Sequence, residues 1–477
     1  MTKKTIFLTG ATGVMGGATL KLLAGHFDRL NLRLLVRDTE KNRKKLKPYL
    51  DEKAVKIVWG DLVNPEDVKR ALGTANIVLH IGGMVSPQAD YDPEKTLKVN
   101  VAAMKNIISA ARDCKERDNI KVIYIGSVAQ TSDRREPLHW SRTGDPVRVS
   151  AFDAYGLSKN IAERMLAESG INYWVSLRQS GILHPGIFRQ AFDPIAFHVP
   201  LKGALEWTTL EDSANLMLRL CGDDVPENFW NKFYNIGSGD AYRLGNFEFI
   251  SMMMKAIGAP PPEKIFEPSW FATRNFHGSW FIDSDKLEEM LHFRENTPVE
   301  DYFKEMVKQA PWWVRLAPLA PAPVEKMVMK TVASKKPLGP LFWLKSPDHE
   351  DYVKAFFGSR EEQKQIPGWE QLHLVAPSKR IIKLSHGYDE SKADDELDIA
   401  DMKEAAEFRG GKCLSEEMQK GDLLTPLEWE CRKGHKFKAT PNLILKGGHW
   451  CPECLTAEFS EERDMGAPFF SQTMVGA

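Results

Sequence analysis

The chain has 477 residues, which is more than one ordinary hydrophobic core organises, so we expect two or three domains. Its 64 lysines and arginines against 65 aspartates and glutamates leave a formal net charge of −1, which gives no overall field to recruit nucleic acid or an anionic membrane. Six cysteines are too few for a disulfide scaffold, and with no signal peptide and no apolar run long enough to span a bilayer, we expect a protein of the reducing cytoplasm.

Short apolar runs alternate with longer amphipathic stretches through the first part of the chain. The apolar runs predict strands buried on both faces of a sheet, and they read TIFLTG, LRLLVRD, VKIVWGD, NIVLHIGG, VIYIGS and YWVSLRQSG. The stretches between them, such as MGGATLKLLAGHF, PEDVKRALG and NVAAMKNIISAARDC, predict helices. This alternation predicts an α/β fold, with a doubly wound parallel Rossmann sheet over residues 1–185.

A glycine-rich turn, TGATGVMG, follows the first predicted strand and opens the first predicted helix. Its glycines let the backbone turn tightly and approach a pyrophosphate, which the N-terminus of the helix attracts. Because the turn lies between a strand and a helix, with further strands behind it, it predicts dinucleotide binding rather than a purely structural turn. The loop residues that we expect to bind the cofactor are Gly10, Thr12, Gly13, Val14, Met15 and Gly16.

The end of the second predicted strand bears on which dinucleotide binds. An acidic residue there binds the ribose 2′-hydroxyl of NAD, whereas an arginine accepts the 2′-phosphate of NADP. The sequence is VRD, with Arg37 before Asp38 and four basic residues over the following seven positions. We favour NADP(H) over NAD(H) because of Arg37, while Asp38 keeps NAD open.

A serine, a tyrosine and a lysine are the candidate catalytic residues. Ser127 ends the fifth predicted strand, in IYIGSVAQ, at the carboxyl edge where open parallel sheets bind ligands. Tyr155 and Lys159, in DAYGLSKN, are four residues apart and share one face of a predicted helix. A cation beside a phenol lowers its pKa, which suits proton transfer near neutral pH, although an isolated pair with this spacing is more often a packed tyrosine beside a solvated lysine.

With these motifs in place, residues 1–310 resemble an extended short-chain dehydrogenase/reductase. This family includes nucleotide-sugar epimerases, hydroxysteroid dehydrogenases and dihydroflavonol reductases. Further segments share the resemblance, namely GDL, LHIGG, VNV, LRQSGILHPG, WTTLEDSANLM, FYNIGSG and DSDKLEEMLHF. The chain departs from the family pattern at His184 and His292, which stand where glycine is usual.

The resemblance implies a role for each matching residue. Tyr155 would exchange a proton with the substrate oxygen while Ser127 hydrogen-bonds that oxygen. Lys159 would bind the nicotinamide ribose and depress the pKa of Tyr155, so Tyr155 and Lys159 are cofactor contacts as well. The further cofactor contacts that the resemblance implies are Asp61, Leu62, Ile81, Gly82, Gly83 and Asn100. Helix pairs in this family often dimerise, which makes a homodimer an expectation.

Residues 186–310 form a predicted substrate-binding cap, interleaved with the sheet domain. Aromatic residues accumulate there and cations are few, which favours a hydrophobic substrate over a sugar diphosphate. We therefore expect interconversion of a ketone and a secondary alcohol, on a steroid, bile-acid-like or terpenoid substrate. The alternatives are a nucleotide-sugar epimerase or dehydratase with bound NAD, and a redox-sensing NADP(H)-binding protein.

Residues 311–395 form an extension beyond the usual end of the family fold, rich in proline and tryptophan at its start. Tryptophan beside lysine or arginine is typical of membrane interfaces, and PVEKMVMKTVASKK could form an amphipathic helix. Three interpretations of the segment 311–347 compete: a strap over the substrate pocket, a peripheral membrane contact and an oligomer contact.

The segment 396–477 contains two short pairs of candidate metal-binding residues. Cys431 and His435 form the first pair, and Cys451 and Cys454 the second, with the spacing of a tetrahedral structural zinc site. The stretch resembles a zinc ribbon, with His449 and Cys413 as alternative ligands. Four protein ligands close the site, so we expect Zn²⁺ to stabilise the fold and chelation to unfold this segment alone. Nucleic-acid binding is not expected, because acidic residues dilute the basic face.

Overall fold

The computed structural model describes residues 3–131, 133–456 and 466–474, with the backbone alone at 315–318 and 474. The strands are β1 (Lys4–Thr9), β2 (Leu30–Val36), β3 (Val55–Trp59), β4 (Ile77–His80), β5 (Lys121–Ser127), β6 (Trp140–Ser141), β7 (Tyr173–Gln179), β8 (Ile182–Leu183), β9 (Ala204–Glu206), β10 (Thr208–Thr209), β11 (Lys232–Ile236), β12 (Arg243–Gly245), β13 (Trp280–Phe281), β14 (Lys412–Cys413), β15 (Leu427–Glu430) and β16 (Lys436–Ala439).

Helices cover the sheet and build the later parts of the chain. They are α1 (Val14–Ala24), α2 (Glu40–Leu46), α3 (Pro65–Leu72), α4 (Gln88–Tyr91), α5 (Pro93–Asp113), α6 (Ala154–Ala167), α7 (Ile187–Gln190), α8 (Leu210–Arg219), α9 (Asn246–Ile257), α10 (Pro262–Ile265), α11 (Asp285–Leu291), α12 (Val299–Gln309), α13 (Ala322–Ala333), α14 (Pro340–Trp343), α15 (Glu350–Phe357), α16 (Arg360–Lys364), α17 (Ile399–Phe408), α18 (Pro452–Thr456) and α19 (Pro468–Ser471). Short 3₁₀ turns and one π-helical turn, Asn442–Lys446, complete the structure.

Seven strands form one parallel sheet in the order β11-β7-β5-β4-β1-β2-β3. The doubly wound parallel sheet is therefore confirmed, and the six apolar runs correspond to β1–β5 and β7. The chain order reverses between β1 and β4, and ligands bind such sheets at the carboxyl ends of the strands beside this point.

The two faces of the sheet bury separate cores, which is why its strands read as continuous apolar runs. Neighbouring residues on β1 illustrate this, since successive side chains on a strand point to opposite faces. Phe7 packs into one core, whereas Ile6 and Leu8 pack into the other, and all three are fully buried.

The C-terminal segment packs on the same face of the sheet as Phe7. Its buried aromatic residues Trp429, Trp450 and Phe469 belong to one continuous core with Val122 and Trp174 of the sheet strands. A segment that shares a core in this way is held by the sheet domain, so the expectation that chelation would unfold it alone does not follow from the packing.

The extension after residue 310 packs against the cap. Val314, Met329 and Val332 from the extension share one core with Phe197 and Phe266 of the cap. This is the intramolecular packing that the strap interpretation requires. Among the described residues, no helix is long and apolar enough to cross a membrane.

Candidate active site

The carboxyl ends of β1 and β4 are joined by direct hydrogen bonds. The backbone N–H of Gly82 donates to Thr9 Oγ1 at 2.9 Å, and the same hydroxyl lies 3.0 Å from His80 Nδ1. Thr9 and His80 are buried, and burial lowers the pKa of His80 to about 3, so its imidazole is neutral. This contact sets the position of the loop that follows β4.

The glycine turn after β1 packs backbone to backbone against that loop. A Cβ on Gly10 would lie 2.8 Å from Gly82 Cα, and a Cβ on Gly16 would lie 2.2 Å from the Gly10 carbonyl oxygen. Gly10 also has φ +74°, a conformation that other residues rarely adopt. The first turn of α1 contains no acidic residue, so its positive end remains available for an anion such as a pyrophosphate.

After β2, Asp38 is engaged by a neighbouring arginine, whereas Arg37 is not paired with any described carboxylate. The guanidinium of Arg43 donates to both carboxylate oxygens of Asp38, at 2.6 and 2.7 Å. Arg37 is exposed, and among the described side chains none forms an ion pair with it. Lys45 Nζ donates to the carbonyl of Thr12 at 2.6 Å, which brings a cation to the glycine turn.

Asn100 positions a loop of the predicted cofactor groove. Its Oδ1 accepts from the backbone N–H of Met84 at 2.7 Å, and its Nδ2 donates to the Met84 carbonyl and to Ser158 Oγ. A Cβ on Gly83 would lie 2.9 Å from the same Oδ1. Asn100 thus connects the segment around Ile81 and Gly83 to the helix that contains Ser158.

Two further predicted cofactor contacts, Asp61 and Leu62, follow β3. The Asp61 carboxylate accepts from the backbone N–H of Val63 at 3.2 Å, and the Leu62 carbonyl accepts from Asn106 Nδ2 at 2.8 Å. Both loop residues are only partly buried. Leu62 faces the loop after β4, since a Cβ on Gly82 would lie 3.1 Å from Leu62 Cδ1.

The structure brings Ser127, Tyr155 and Lys159 together at the end of β5. Ser127 is buried, and Asp153 caps helix α6 by accepting from the backbone N–H of Gly156 at 2.7 Å. Lys159 Nζ donates to the Ile125 carbonyl at 2.7 Å and lies 5.7 Å from the centre of the Tyr155 ring. Its ammonium therefore lies against β5, 4.9 Å from the centre of the Tyr124 ring and somewhat further from that of Tyr155.

The pKa of Tyr155 differs from the expectation drawn from the resemblance. Burial raises the pKa of Tyr155 to about 12, although its hydrogen bond with Ser127 acts in the opposite direction. Burial also lowers the pKa of Lys159 to about 8. In this structure, then, burial has the largest effect on the tyrosine pKa, and the phenol keeps its proton at neutral pH.

Two carboxylates and a histidine beside Tyr155 were not apparent from the sequence. Asp153 Oδ2 lies 3.0 Å from His277 Nδ1, and both Asp153 and Asp90 act to raise the pKa of Tyr155. Burial and then Asp153 raise the pKa of Asp90 to about 6. Asp153 is two residues before Tyr155, but Asp90 and His277 come from distant parts of the chain, so no sequence spacing connects them to the site.

A cluster of three cysteines and one histidine lies in the C-terminal segment. The ligand atoms of Cys431, His435, Cys451 and Cys454 all lie within 4.8 Å of one another. The Cys431 and Cys454 sulfurs are 3.8 Å apart. His435 Nδ1 lies 3.4 Å from the Cys451 sulfur and 3.5 Å from the Cys454 sulfur. Ligands bound at 2.0–2.3 Å to a tetrahedral zinc are about 3.5–3.8 Å apart, so the donor set fits that ion.

The alternative ligands lie outside this cluster. His449 Nε2 is 2.7 Å from Glu163 Oε1 on helix α6, and Cys413 pairs with Trp429 across β14 and β15. The structure therefore brings together the four residues predicted as the primary ligand set.

Comparison with known proteins agrees with this fold. Residues 6–185 match the model of the NAD dependent epimerase/dehydratase family. D-erythronate dehydrogenase from Cupriavidus necator is 28% identical over 120 residues, which are 25% of this chain and 35% of that protein. The 3 beta-hydroxysteroid dehydrogenase type 7 of Rattus norvegicus is 25% identical over 271 residues, which are 53% of this chain and 72% of that dehydrogenase.

The likeness to solved structures covers a larger part of the chain than the family match. A double mutant of DesIV, a dTDP-glucose 4,6-dehydratase from Streptomyces venezuelae with NAD and DAU bound, superposes with a TM-score of 0.50 at 17% identity. The superposition covers 64% of this chain and 96% of DesIV. The predicted resemblance to extended short-chain dehydrogenase/reductases is confirmed, and with it the Rossmann fold. The match to the erythronate dehydrogenase spans only about a third of that relative.

Proposed function

We propose that this protein is an NADP(H)-preferring oxidoreductase that interconverts a ketone and a secondary alcohol on a hydrophobic substrate. The observation that carries the proposal is the convergence of Ser127, Tyr155 and Lys159 at the carboxyl end of β5. The glycine turn after β1 opens at the same edge of the sheet.

The roles of the three side chains follow from their environments. A bound nicotinamide dinucleotide supplies or accepts the hydride. Tyr155, protonated at neutral pH, donates its proton to the carbonyl oxygen as the alcohol forms, while Ser127 hydrogen-bonds that oxygen. Lys159 offers a cation beside the phenol, where it stabilises the negative charge left by proton transfer.

The cap supports a hydrophobic substrate. Trp207 and Phe249 stack with ring centres 4.4 Å apart, and Phe192 of the cap meets Trp313 of the extension at 5.3 Å. The relative named as a hydroxysteroid dehydrogenase also favours a steroid-like ketone. A nucleotide-sugar dehydratase is the second candidate, because DesIV has this fold.

The proposal is tested by cofactor oxidation, with NADPH and NADH in parallel against steroid ketones, other hydrophobic ketones and nucleotide sugars. We expect turnover of a hydrophobic ketone and a lower KM for NADPH than for NADH. NAD retained through purification, with conversion of a nucleotide sugar and no ketone turnover, would contradict the proposal.

The same assay contains a control for cofactor choice. Arg37→Ala should weaken NADPH binding about 10- to 100-fold, the worth of a charge-assisted hydrogen bond of about 1.5–3 kcal/mol, and leave NADH almost unchanged. Lys41→Ala, a nearby exposed cation, should change neither. Equal losses for both cofactors would remove the reason for preferring NADP.

We infer in addition that the Cys431, His435, Cys451 and Cys454 cluster holds a structural Zn²⁺. The donor set is soft and its spacing is that of a tetrahedral site. Four protein ligands leave no position for a substrate, so the ion stabilises the fold and takes no part in the reaction.

We further infer that the outer face of the extension rests on an anionic lipid surface. Five apolar side chains of the extension are exposed, and they are Trp312, Leu319, Val324, Met327 and Val328. The last three follow helical spacing on α13, so they form one stripe. Lys330, Lys335 and Lys336 are exposed beside it, and cations flanking an apolar stripe with a tryptophan match the headgroup region of such a membrane.

Co-sedimentation with vesicles tests this contact. We expect binding to vesicles that contain phosphatidylserine, and at least ~10-fold weaker binding for Trp312→Ser/Met327→Ser, because burying one large apolar side chain is worth about 1.5–3 kcal/mol. Leu424→Ser removes an exposed apolar side chain from the C-terminal segment and is the matched control. Unchanged binding by the double variant would exclude this face.

A further inference from the structure

Helix α6 connects the proposed catalytic residues to the metal cluster. Tyr155 and Lys159 lie in its first two turns, and Glu163 and Arg164 lie in the turn after them. Residues four apart lie on the same side of a helix, so Glu163 follows Lys159 along one face. Any contact that fixes Glu163 and Arg164 therefore also fixes the position and orientation of the helix that contains Tyr155 and Lys159.

One set of contacts comes from the residues directly before the ligand Cys451. His449 Nε2 lies 2.7 Å from Glu163 Oε1, and Arg164 Nη1 donates to the Trp450 carbonyl at 2.7 Å. His449 and Glu163 are completely buried, so water cannot replace this hydrogen bond in the folded protein.

A second set comes from the hairpin that contains the other ligand pair. Thr440 follows β16, the strand that begins directly after His435. Its backbone N–H and its hydroxyl both donate to Glu168 Oε1 just beyond the end of α6, at 3.1 and 2.8 Å. Phe437 of the same strand lies under the Arg164 guanidinium, 5.6 Å from the ring centre. Each half of the metal cluster thus has its own contact with α6.

The segment with the first set of contacts is held by isolated contacts rather than by regular structure: Arg178 donates to the Gly447 carbonyl, the Val147 backbone N–H donates to the Gly448 carbonyl, and Trp450 is buried in the core. Between the π-helical turn and α18, residues 447–451 form neither helix nor strand. The described cysteines are free thiols, so no disulfide replaces the ion. A structural metal contributes folding free energy directly in small modules of this kind, and here it would fix Cys451 and with it the two preceding residues.

We propose that the metal ion holds helix α6 in the position required for catalysis, through a set of contacts that we call the clamp. The clamp consists of His449, Trp450 and Thr440 on the C-terminal segment and of Glu163, Arg164 and Glu168 on or next to α6. His449 and Arg164 are positioning residues, since they act on the reaction through Tyr155 and Lys159. The effect on turnover rests on the proposed function, whereas the effect on α6 itself does not.

Amide hydrogen exchange on the full-length protein tests the clamp. Zinc content is measured before and after treatment with a chelator, and exchange is followed in the peptide covering residues 154–167. We expect roughly tenfold faster exchange in that peptide after zinc is lost, with the strands of the sheet still protected. The value of kcat should fall roughly 10²-fold, as for a catalytic group displaced by about 1 Å, and re-addition of Zn²⁺ should restore both.

Substitutions in the clamp separate it from general stabilisation by the metal. His449→Ala should reproduce the faster exchange of α6 with zinc still bound, and His449→Gln, which retains a donor, should recover part of the protection. Lys438→Ala removes an exposed cation that pairs with Glu428 inside the module, and it should behave as wild type.

The outcomes are distinguishable. Loss of zinc with unchanged α6 exchange, or His449→Ala with unchanged α6 exchange, overturns the clamp. If chelation unfolds the whole chain, the zinc-loaded His449 variants decide. If the zinc-loaded protein turns over no ketone, the proposed function fails, while the exchange of α6 still decides whether the clamp exists.

Discussion

Tyr155→Phe is expected to lower kcat about 10²–10⁴-fold, the usual contribution of a positioned proton donor, and to leave NADPH affinity nearly unchanged. The phenol is the group that gives its proton to the carbonyl oxygen, and its pKa of about 12 keeps it protonated across neutral pH. Phenylalanine fills the same space, so the cofactor groove and the packing of α6 should remain intact. The measurement is steady-state turnover with the preferred ketone, together with NADPH binding by fluorescence.

The control for this substitution is Tyr173→Phe, which removes a hydroxyl from the opposite end of the sheet, at the start of β7. It should leave both kcat and cofactor binding as in wild type. Full activity of Tyr155→Phe would remove Tyr155 from the reaction, and loss of NADPH binding would mean that the phenol holds the cofactor rather than the substrate.

The sheet and the site at its edge could be predicted because both depend on short-range patterns. A strand buried on both faces, such as β1 with Ile6, Phe7 and Leu8, must be apolar throughout, so it stands out in the sequence. Tyr155 and Lys159 are one helical turn apart, and that spacing survives whatever packs around the helix.

The electrostatics of the site could not be read from spacing. The Tyr155–Lys159 spacing predicts a depressed tyrosine pKa, but burial has the larger effect, and burial depends on the cap. The carboxylates of Asp90 and Asp153 act in the same direction as burial. His277 approaches Asp153 from a cap loop 124 residues later, which no local pattern reveals.

Short strands and the placement of the C-terminal segment were also beyond the sequence. Strands of two or three residues, such as β6 and β13, are too short to show an alternation of apolar and polar residues in the sequence. The ligand spacing located the metal cluster but not its neighbours. His449, weighed as a metal ligand, is instead bonded to Glu163 across 286 residues of sequence.

The buried pair beneath the module connects three distant segments. The Arg178 guanidinium of β7 donates to Glu163 at 2.6 and 3.1 Å and to the Gly447 carbonyl at 2.6 Å. Ser176 donates to the same carboxylate, and His449 contacts its other oxygen. Burial alone would raise the pKa of Glu163, but Arg178 and His449 together hold it well below its usual range.

Glu163→Ala is therefore expected to lower the free energy of unfolding by about 3–5 kcal/mol, because it leaves the buried Arg178 charge without its partner. Glu163→Met/Arg178→Met replaces both charges with apolar side chains of similar length, and it should recover most of the loss. Glu289→Ala, at an exposed position on α11, should stay within about 0.5 kcal/mol of wild type. Denaturant unfolding of the zinc-loaded protein measures all three.

The pH dependence gives the same pair a second signature. Because the pKa of Glu163 is depressed in the folded state, its stabilising contribution is complete above the pKa of the unfolded carboxyl and is lost as the pH falls below it. Wild type should therefore lose more stability than the double Met variant between neutral pH and acid. Parallel curves for the two proteins, or a loss under 1 kcal/mol for Glu163→Ala, would show that the carboxylate is not what stabilises Arg178 and the segment docked on it.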